Sequence, residues 1–264
     1  MFTSTTILRC SFLLAVAAAL NAADLTGDEI IRSAVEGEKR QEELRRQYIY
    51  REHQENRLLR PDGSAGKLYI NRDFENIFLE GGFYRKLVAI DGKPLKQKQA
   101  QEEEAKLRMT AAERKAAAGP KKRGLTSGVP LADMVEVMEH RLLREEEIGG
   151  RKYWVVQSEP KKDAVPKTPS ETKTLAYRYV QWIDQADRSV ARREWDVIGP
   201  GQDTLPGSTV QLSFARNADG VLLPQQYIWK SVRGSGKVSF LQTQLFSDYR
   251  RFTSQTNVSF GDTP

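Results

Sequence analysis

Residues 67–94, KLYINRDFENIFLEGGFYRKLVAIDGKP, hold two runs of alternating side chains separated by Gly81-Gly82. In the first run Leu68, Ile70, Phe74 and Phe78 share one face, while Tyr69, Asn71, Asp73 and Glu75 share the other. A period of two with one apolar face marks a half-buried strand, and a glycine pair between two such runs turns the chain back on itself. The segment therefore predicts an antiparallel pair, residues 67–79 and 83–90, closed by the turn Asp91-Gly92-Lys93-Pro94. Antiparallel pairs of this kind build meanders with one buried face, not the crossover units of parallel sheets.

The same alternation continues outward. Upstream, Tyr48, Tyr50 and Glu52 alternate with Ile49, Arg51 and His53 until the turn Pro61-Asp62-Gly63. Before them a helix over about 27–46 opens with the capping box Thr26-x-x-Glu29, in which hydroxyl and carboxylate satisfy each other's orphan amides. Ile30, Ile31, Ala34, Val35 and, less regularly, Leu44 give it one apolar stripe, so it packs on something larger.

Downstream, residues 95–118 read as a helix of Gln, Lys, Glu, Arg and Ala that Gly119-Pro120 stops. Leu95, Leu107 and Met109 are too few for a stripe, which predicts a helix projecting into solvent or resting lightly on the body. Residues 121–128 form a connecting stretch, and Pro130 opens a shorter helix in which Leu131, Met134, Val135 and Met138 recur at helical spacing. Beyond it come hairpins: 141–148 with 152–158 across Gly149-Gly150, 175–183 with 190–198, and 209–215 with 221–232. Residues 161–173 are expected to be a loop, and 237–252 a last strand. About ten strands and two or three helices without β-α-β alternation make an α+β fold, mainly β, in one domain over 24–264.

Residues 1–23 read as an export signal. Arg9 precedes an apolar run from Phe12 to Leu20, and small residues lead to a cut after Ala22 or Ala23. That run is about half of what a bilayer crossing needs. The only cysteine, Cys10, lies inside this leader, so the mature chain is expected to stand on its core without disulfides. An exported, periplasmic monomer is the expectation.

The net charge of +6 is local: residues 91–125 carry ten Lys and Arg against five acids. A nucleic-acid binder spreads its basic residues over a groove or stacking surface, and this pattern excludes that class. Lys115, Lys121, Lys122 and Arg123 are candidates for contact with an anionic membrane surface or an envelope protein, alongside the plainer reading of a solvated helix.

Catalytic chemistry is not visible. The two histidines, His53 and His140, stand apart from any second ligand at metal spacing. Gly234-Ser235-Gly236 lacks the strand-to-helix setting of a nucleophile elbow, and Ser231 and Val238 stand where a phosphate loop needs Gly and Ser or Thr. Glu145-Glu146-Glu147 alternates between faces and reads as a solvated charge run. No cofactor and no metal site is expected.

Several segments resemble a group of exported bacterial proteins, the outer-membrane lipoprotein-sorting-protein-like proteins related in architecture to the periplasmic lipoprotein carrier LolA. They are Phe83-Tyr84-Arg85-Lys86-Leu87-Val88, Asp91-Gly92-Lys93-Pro94-Leu95, Glu145-Glu146-Glu147-Ile148-Gly149-Gly150-Arg151, Trp182-Ile183-Asp184 and Phe246-Ser247-Asp248-Tyr249-Arg250-Arg251-Phe252. The resemblance implies a strongly curved, incompletely closed antiparallel sheet, with helices as a lid over an apolar concavity that shelters acyl chains. The basic insertion at 95–125 departs from the small carrier.

On such a sheet one phase of the strands would line the concavity: Ile70, Phe74 and Phe78; Val210, Leu212 and Phe214; Val238 and Phe240. The segment bearing Leu131, Met134, Val135 and Met138 would cover it, methionine suiting variable apolar shapes. The same residues would equally serve an ordinary packed core. The function implied is a non-enzymatic carrier for a lipid or an acylated lipoprotein, the alternative being an envelope sensor or scaffold that docks through its basic helix.

Overall fold

The computed structural model describes residues 25–116, 129–199, 205–234 and 239–252. The export signal expected at 1–23 lies outside them. Helix α1 (Gly27–Arg45) is followed by β1 (Tyr48–Leu59), β2 (Ala65–Leu79), β3 (Gly82–Ile90), the two-residue β4 (Lys93–Pro94) and α2 (Gln97–Ala116). Then come β5 (Met138–Ile148), β6 (Arg151–Pro160), α3 (Pro169–Thr174), β7 (Tyr177–Asp184), β8 (Val190–Val197), β9 (Thr209–Arg216), β10 (Leu222–Ser231) and β11 (Phe240–Arg251).

The strands form one sheet of eleven, in the order β4-β3-β2-β1-β11-β10-β9-β8-β7-β6-β5, and every pair is antiparallel. Two meanders thus run outward from a centre where the first strand pairs with the last. The outer strands β4 and β5 do not meet, so the curved sheet stays open. The hairpin predicted over 67–90 is present as β2 and β3. Its turn falls on Glu80 and Gly81, with φ of 43° and 83°, the left-handed pair that a tight hairpin turn requires.

Helix α1 lies across one half of the sheet, against β5, β6, β8 and β10. Its capping box is formed: Thr26 Oγ1 accepts from Glu29 N, and Thr26 N donates to Glu29 Oε2 at 2.8 Å. Ile30, Ile31 and Ala34 are fully buried and meet Trp154, Tyr179, Ile183, Val210, Leu212 and Tyr227 in the main core. The buried stripe continues through Gly37, Gln41 and Arg45, whereas Leu44 is 37% exposed. The later turns are pinned by polar contacts: Leu222 N donates to Gln41 Oε1 at 2.8 Å, and Arg193 Nη1 donates to Val129 O at 2.8 Å while its Nη2 faces Glu38.

Two glycines set how closely this helix approaches. A Cβ on Gly27 would stand 2.3 Å from His140 O, and one on Gly37 would stand 2.3 Å from Arg188 O. The helix backbone rests directly on β5 at one point and on the β7–β8 turn at another.

Three segments differ from the sequence expectation. The stretch after Pro130 forms a single 3-10 turn, Leu131–Asp133, and residues 134–137 turn the chain directly into β5, where Met138 pairs with Pro160. Within the expected loop 161–173, Pro169 at the start and the Thr168 side chain accepting from Glu171 N launch α3. The third is α2, which is docked more firmly than the projecting or lightly resting helix expected: Leu107 is 1% exposed. It lies along the free edge of β3, where Arg114 donates to the carbonyls of Leu79, Gly82 and Phe83 at 2.7–3.0 Å. Glu103 accepts from Leu87 N and from the Tyr84 hydroxyl. An unpaired strand edge invites association with other chains, and here side chains occupy its open hydrogen-bonding positions.

His140 is buried under the start of α1, with Nδ1 2.7 Å from Ser158 Oγ. Burial is the main cause that lowers its pKa to about 4, with Asp28 opposing and Lys161 and Arg32 reinforcing. The folded protein therefore keeps this ring neutral while an unfolded chain takes a proton near pH 6.5. Stability attributable to this residue is complete above pH 6.5 and falls between there and pH 4, by up to about 3 kcal/mol. Urea unfolding across that window checks this, and His140→Gln should flatten the dependence. Gly37→Ala, which would gain nearly 1 kcal/mol in a free helix, should instead lower the melting temperature, because the methyl meets a backbone carbonyl.

Candidate functional site

Directly opposed residues of antiparallel strands point to the same face, so the register traces the concave face outward from the core. Val210 and Leu212, under α1, pair with Trp229 and Tyr227 on β10. Trp229 pairs with Gln242, Gln242 with Asn56, and Asn56 with Ile70. The next row runs Tyr227, Gln244, Gln54, Arg72. A further row runs Phe246, Glu52, Phe74, Leu87, and beyond it lie Tyr50, Asn76 and Arg85.

A helix of 19 residues is about 28 Å long. The six strands from β10 to β5 span about 24 Å, and all eleven span roughly twice that. One helix can cover only half of the sheet, and α1 covers the half from β10 to β5. On the side of α1, the strands β11, β1, β2 and β3 present their own side chains, and curvature rather than a helix shelters them. Trp229, at the border of the part α1 covers, and Phe246 are half-buried here, and Gln54, Gln242 and Gln244 stand between them in the same condition.

This half is aromatic at its ends and polar through its middle. The ring of Trp229 meets Phe240 edge-on at 5.0 Å. At the other end Tyr50 packs with Phe83, Phe246 and Tyr249, and Phe78 with Phe83; burial pushes the Tyr50 phenol well up. Between them Glu52, 2% exposed, accepts from Arg85 Nε and Nη2 and from Asn76 Nδ2, while the Arg85 guanidinium lies 4.1 Å from the Phe74 ring centre. Arg85 also donates to Gln54 Oε1, and Gln54 Nε2 donates to Asn56 Oδ1.

The residues proposed from the sequence as cavity lining fall in two places. Leu131, Met134, Met138, Val210 and Leu212 belong to the buried core beneath α1, with Val135 and Phe214 packed against it. Ile70, Phe74 and Phe240 lie on the open half, and Phe78 closes its far end. Val238 lies outside the described residues, as do Lys121, Lys122 and Arg123. Lys115 is exposed and pairs with Glu80 at 3.3 Å.

The sequence reading missed Trp229, Phe246 and the whole polar belt, Gln54, Asn56, Arg72, Gln242 and Gln244. Part of the signal was present: Arg72 and Asn76 are in phase with Phe74 on β2, so that face was never purely apolar. Which residues of β1 and β11 would stand beside them depends on the pairing of the first and last strands, which no local pattern reveals. On the opposite face a separate surface cavity of 220 Å³ is lined by Arg192, Gln211, Ser213, Gln226 and Ile228.

No family model matches the chain, and no curated protein matches it. Among solved structures it is similar to a LolA superfamily protein from Nitrosomonas europaea, at 13% identity over 87% of this chain and 94% of that one, with a TM-score of 0.36. It is also similar to a candidate outer membrane lipoprotein-sorting protein domain from Vibrio parahaemolyticus, at 12% identity over 86% and 93%, TM-score 0.39. A DUF1329 family protein from Desulfovibrio piger is similar at 12% identity over 88% and 95%, TM-score 0.39. These are likenesses of fold.

The Glu52–Arg85 pair yields a test of how the open half is held. Arg85→Met should cost about 3–5 kcal/mol, since it strands a buried carboxylate. The double change Glu52→Leu with Arg85→Met should recover most of that loss. Urea denaturation of the three proteins measures both.

Proposed function

We propose that this chain is an exported, non-enzymatic binding protein of the cell envelope, which shelters the apolar part of a lipid or of an acylated lipoprotein in the open half of its concave face. The observation that carries this reading is the half-coverage of the sheet: α1 reaches β10, and beyond it aromatic side chains continue inward without a helix over them. Trp229, Phe246, Phe240, Phe74 and Ile70 would take the hydrocarbon. Each buried methylene contributes about 0.8 kcal/mol, so a chain of a dozen supplies roughly 10 kcal/mol gross before the costs of association. The core beneath α1 keeps the scaffold rigid while this half stays accessible.

Docking through a basic helix is the weaker reading. The Arg114 guanidinium is engaged with β3 carbonyls, Lys106 and Lys115 face Glu103 and Glu80, and Glu102 and Glu113 share the exposed surface of α2.

Native mass spectrometry of protein purified from its own envelope should reveal co-purifying acyl species. A fluorescent long-chain acyl probe should bind saturably, and Trp229→Ala should weaken it about tenfold or more while Met134→Leu leaves affinity unchanged. Absence of acyl cargo together with non-saturable probe binding would rule the carrier reading out.

A further inference from the structure

The middle of the open half is too polar for hydrocarbon alone. Glu52 is neutralised by Arg85. Arg72 is exposed, and neither it nor Arg233, which stacks on Phe240 at 5.2 Å, has a carboxylate partner among the described residues. Gln242 and Gln244 likewise make no side-chain hydrogen bond among the described residues.

Gln244 and Arg72 flank Gln54 in one row, their backbones about 10 Å apart at two strand spacings. Side chains of that length can close on one small anion from both sides. Gln54 is already committed to Arg85 and Asn56, which holds the floor between them in place. The rows on either side carry aromatic rings, Trp229 in one and Phe246 and Phe74 in the other.

From this arrangement we infer that Arg72, with Gln244 and Gln242, forms a head-group subsite for the phosphate ester of an anionic lipid whose chain lies against the neighbouring rings. The inference rests on the carrier reading above and names its guest. A guanidinium presents paired donors that match two phosphate oxygens, and carboxamide N–H groups can take a third. A neutral sugar or choline-type head would offer the Arg72 guanidinium no anionic partner. A free phosphate would make no use of the rings.

Isothermal titration of the unmodified protein with monododecyl phosphate, dodecyl maltoside and glycerol phosphate tests it. The expected result is that dodecyl phosphate binds at least tenfold more tightly than the maltoside, and that glycerol phosphate binds at least tenfold more weakly than dodecyl phosphate. Arg72→Gln should bring the two amphiphiles within threefold of each other without changing the maltoside affinity, and Arg72→Lys should retain part of the preference. Circular dichroism of both variants confirms folding.

A preference below tenfold in the unmodified protein, or one that survives Arg72→Gln, overturns the head-group assignment and leaves the carrier reading standing. Glycerol phosphate binding as tightly as dodecyl phosphate overturns it in favour of a free-phosphate site. Saturable binding of neither amphiphile removes the carrier reading and this inference together.

Discussion

A single contact governs the rest of the architecture: the backbone of α1 pressed onto the sheet at Gly27 and Gly37. Each glycine brings the helix within 2.3 Å of a carbonyl oxygen, measured from where a side chain would begin. That approach lets Ile30, Ile31 and Ala34 reach Trp154, Tyr179 and Ile183, and so consolidates the half of the sheet from β10 to β5. It also consumes the length of the helix. The sheet is about twice as wide as α1 is long, and what remains uncovered is a curved surface with its own chemistry.

The two halves solve burial differently. Under α1 the core is apolar, with His140, Ser158 and Gln181 tied into one another. On the other side the polar residues are paired with one another: Glu52 across strands with Arg85 and Asn76, and Gln54 along β1 with Asn56. Burying a carboxylate is tolerable only with such partners, and curvature supplies the burial. At the far margin α2 completes the sheet in another way. Its low apolar content is explained by its task, which is to offer Arg114 and Glu103 to backbone groups of β3 instead of burying a stripe.

Much of this was legible residue by residue. The alternation in β1, β2 and β3, the capping box of α1, the glycine turns and the hairpins of the second half are all local signals, and the open antiparallel sheet implied by the resemblance is the sheet observed. Boundaries suffered where two local patterns competed. Met134 and Met138 keep helical spacing with Leu131, yet Met138 has a strand partner in Pro160 and the helix shrinks to one turn. Met134, Met138, Val210 and Leu212 were identified as inward-facing apolar residues, a description equally true of a core and of a cavity wall. The position of α1 places them in the core.

The sequence alone determined which side chains of each strand share a face and where the chain must turn, because both depend on neighbours two to four residues away. It could not determine that β1 would pair with β11, since that contact joins residues some two hundred positions apart. That pairing aligns Gln242 and Gln244 with Asn56 and Gln54 and sets Arg72 beside them, turning scattered amides into one polar belt. Only the tertiary structure could decide this, because strand register is a property of two segments, and the reach of a helix across a sheet is a property of all of them.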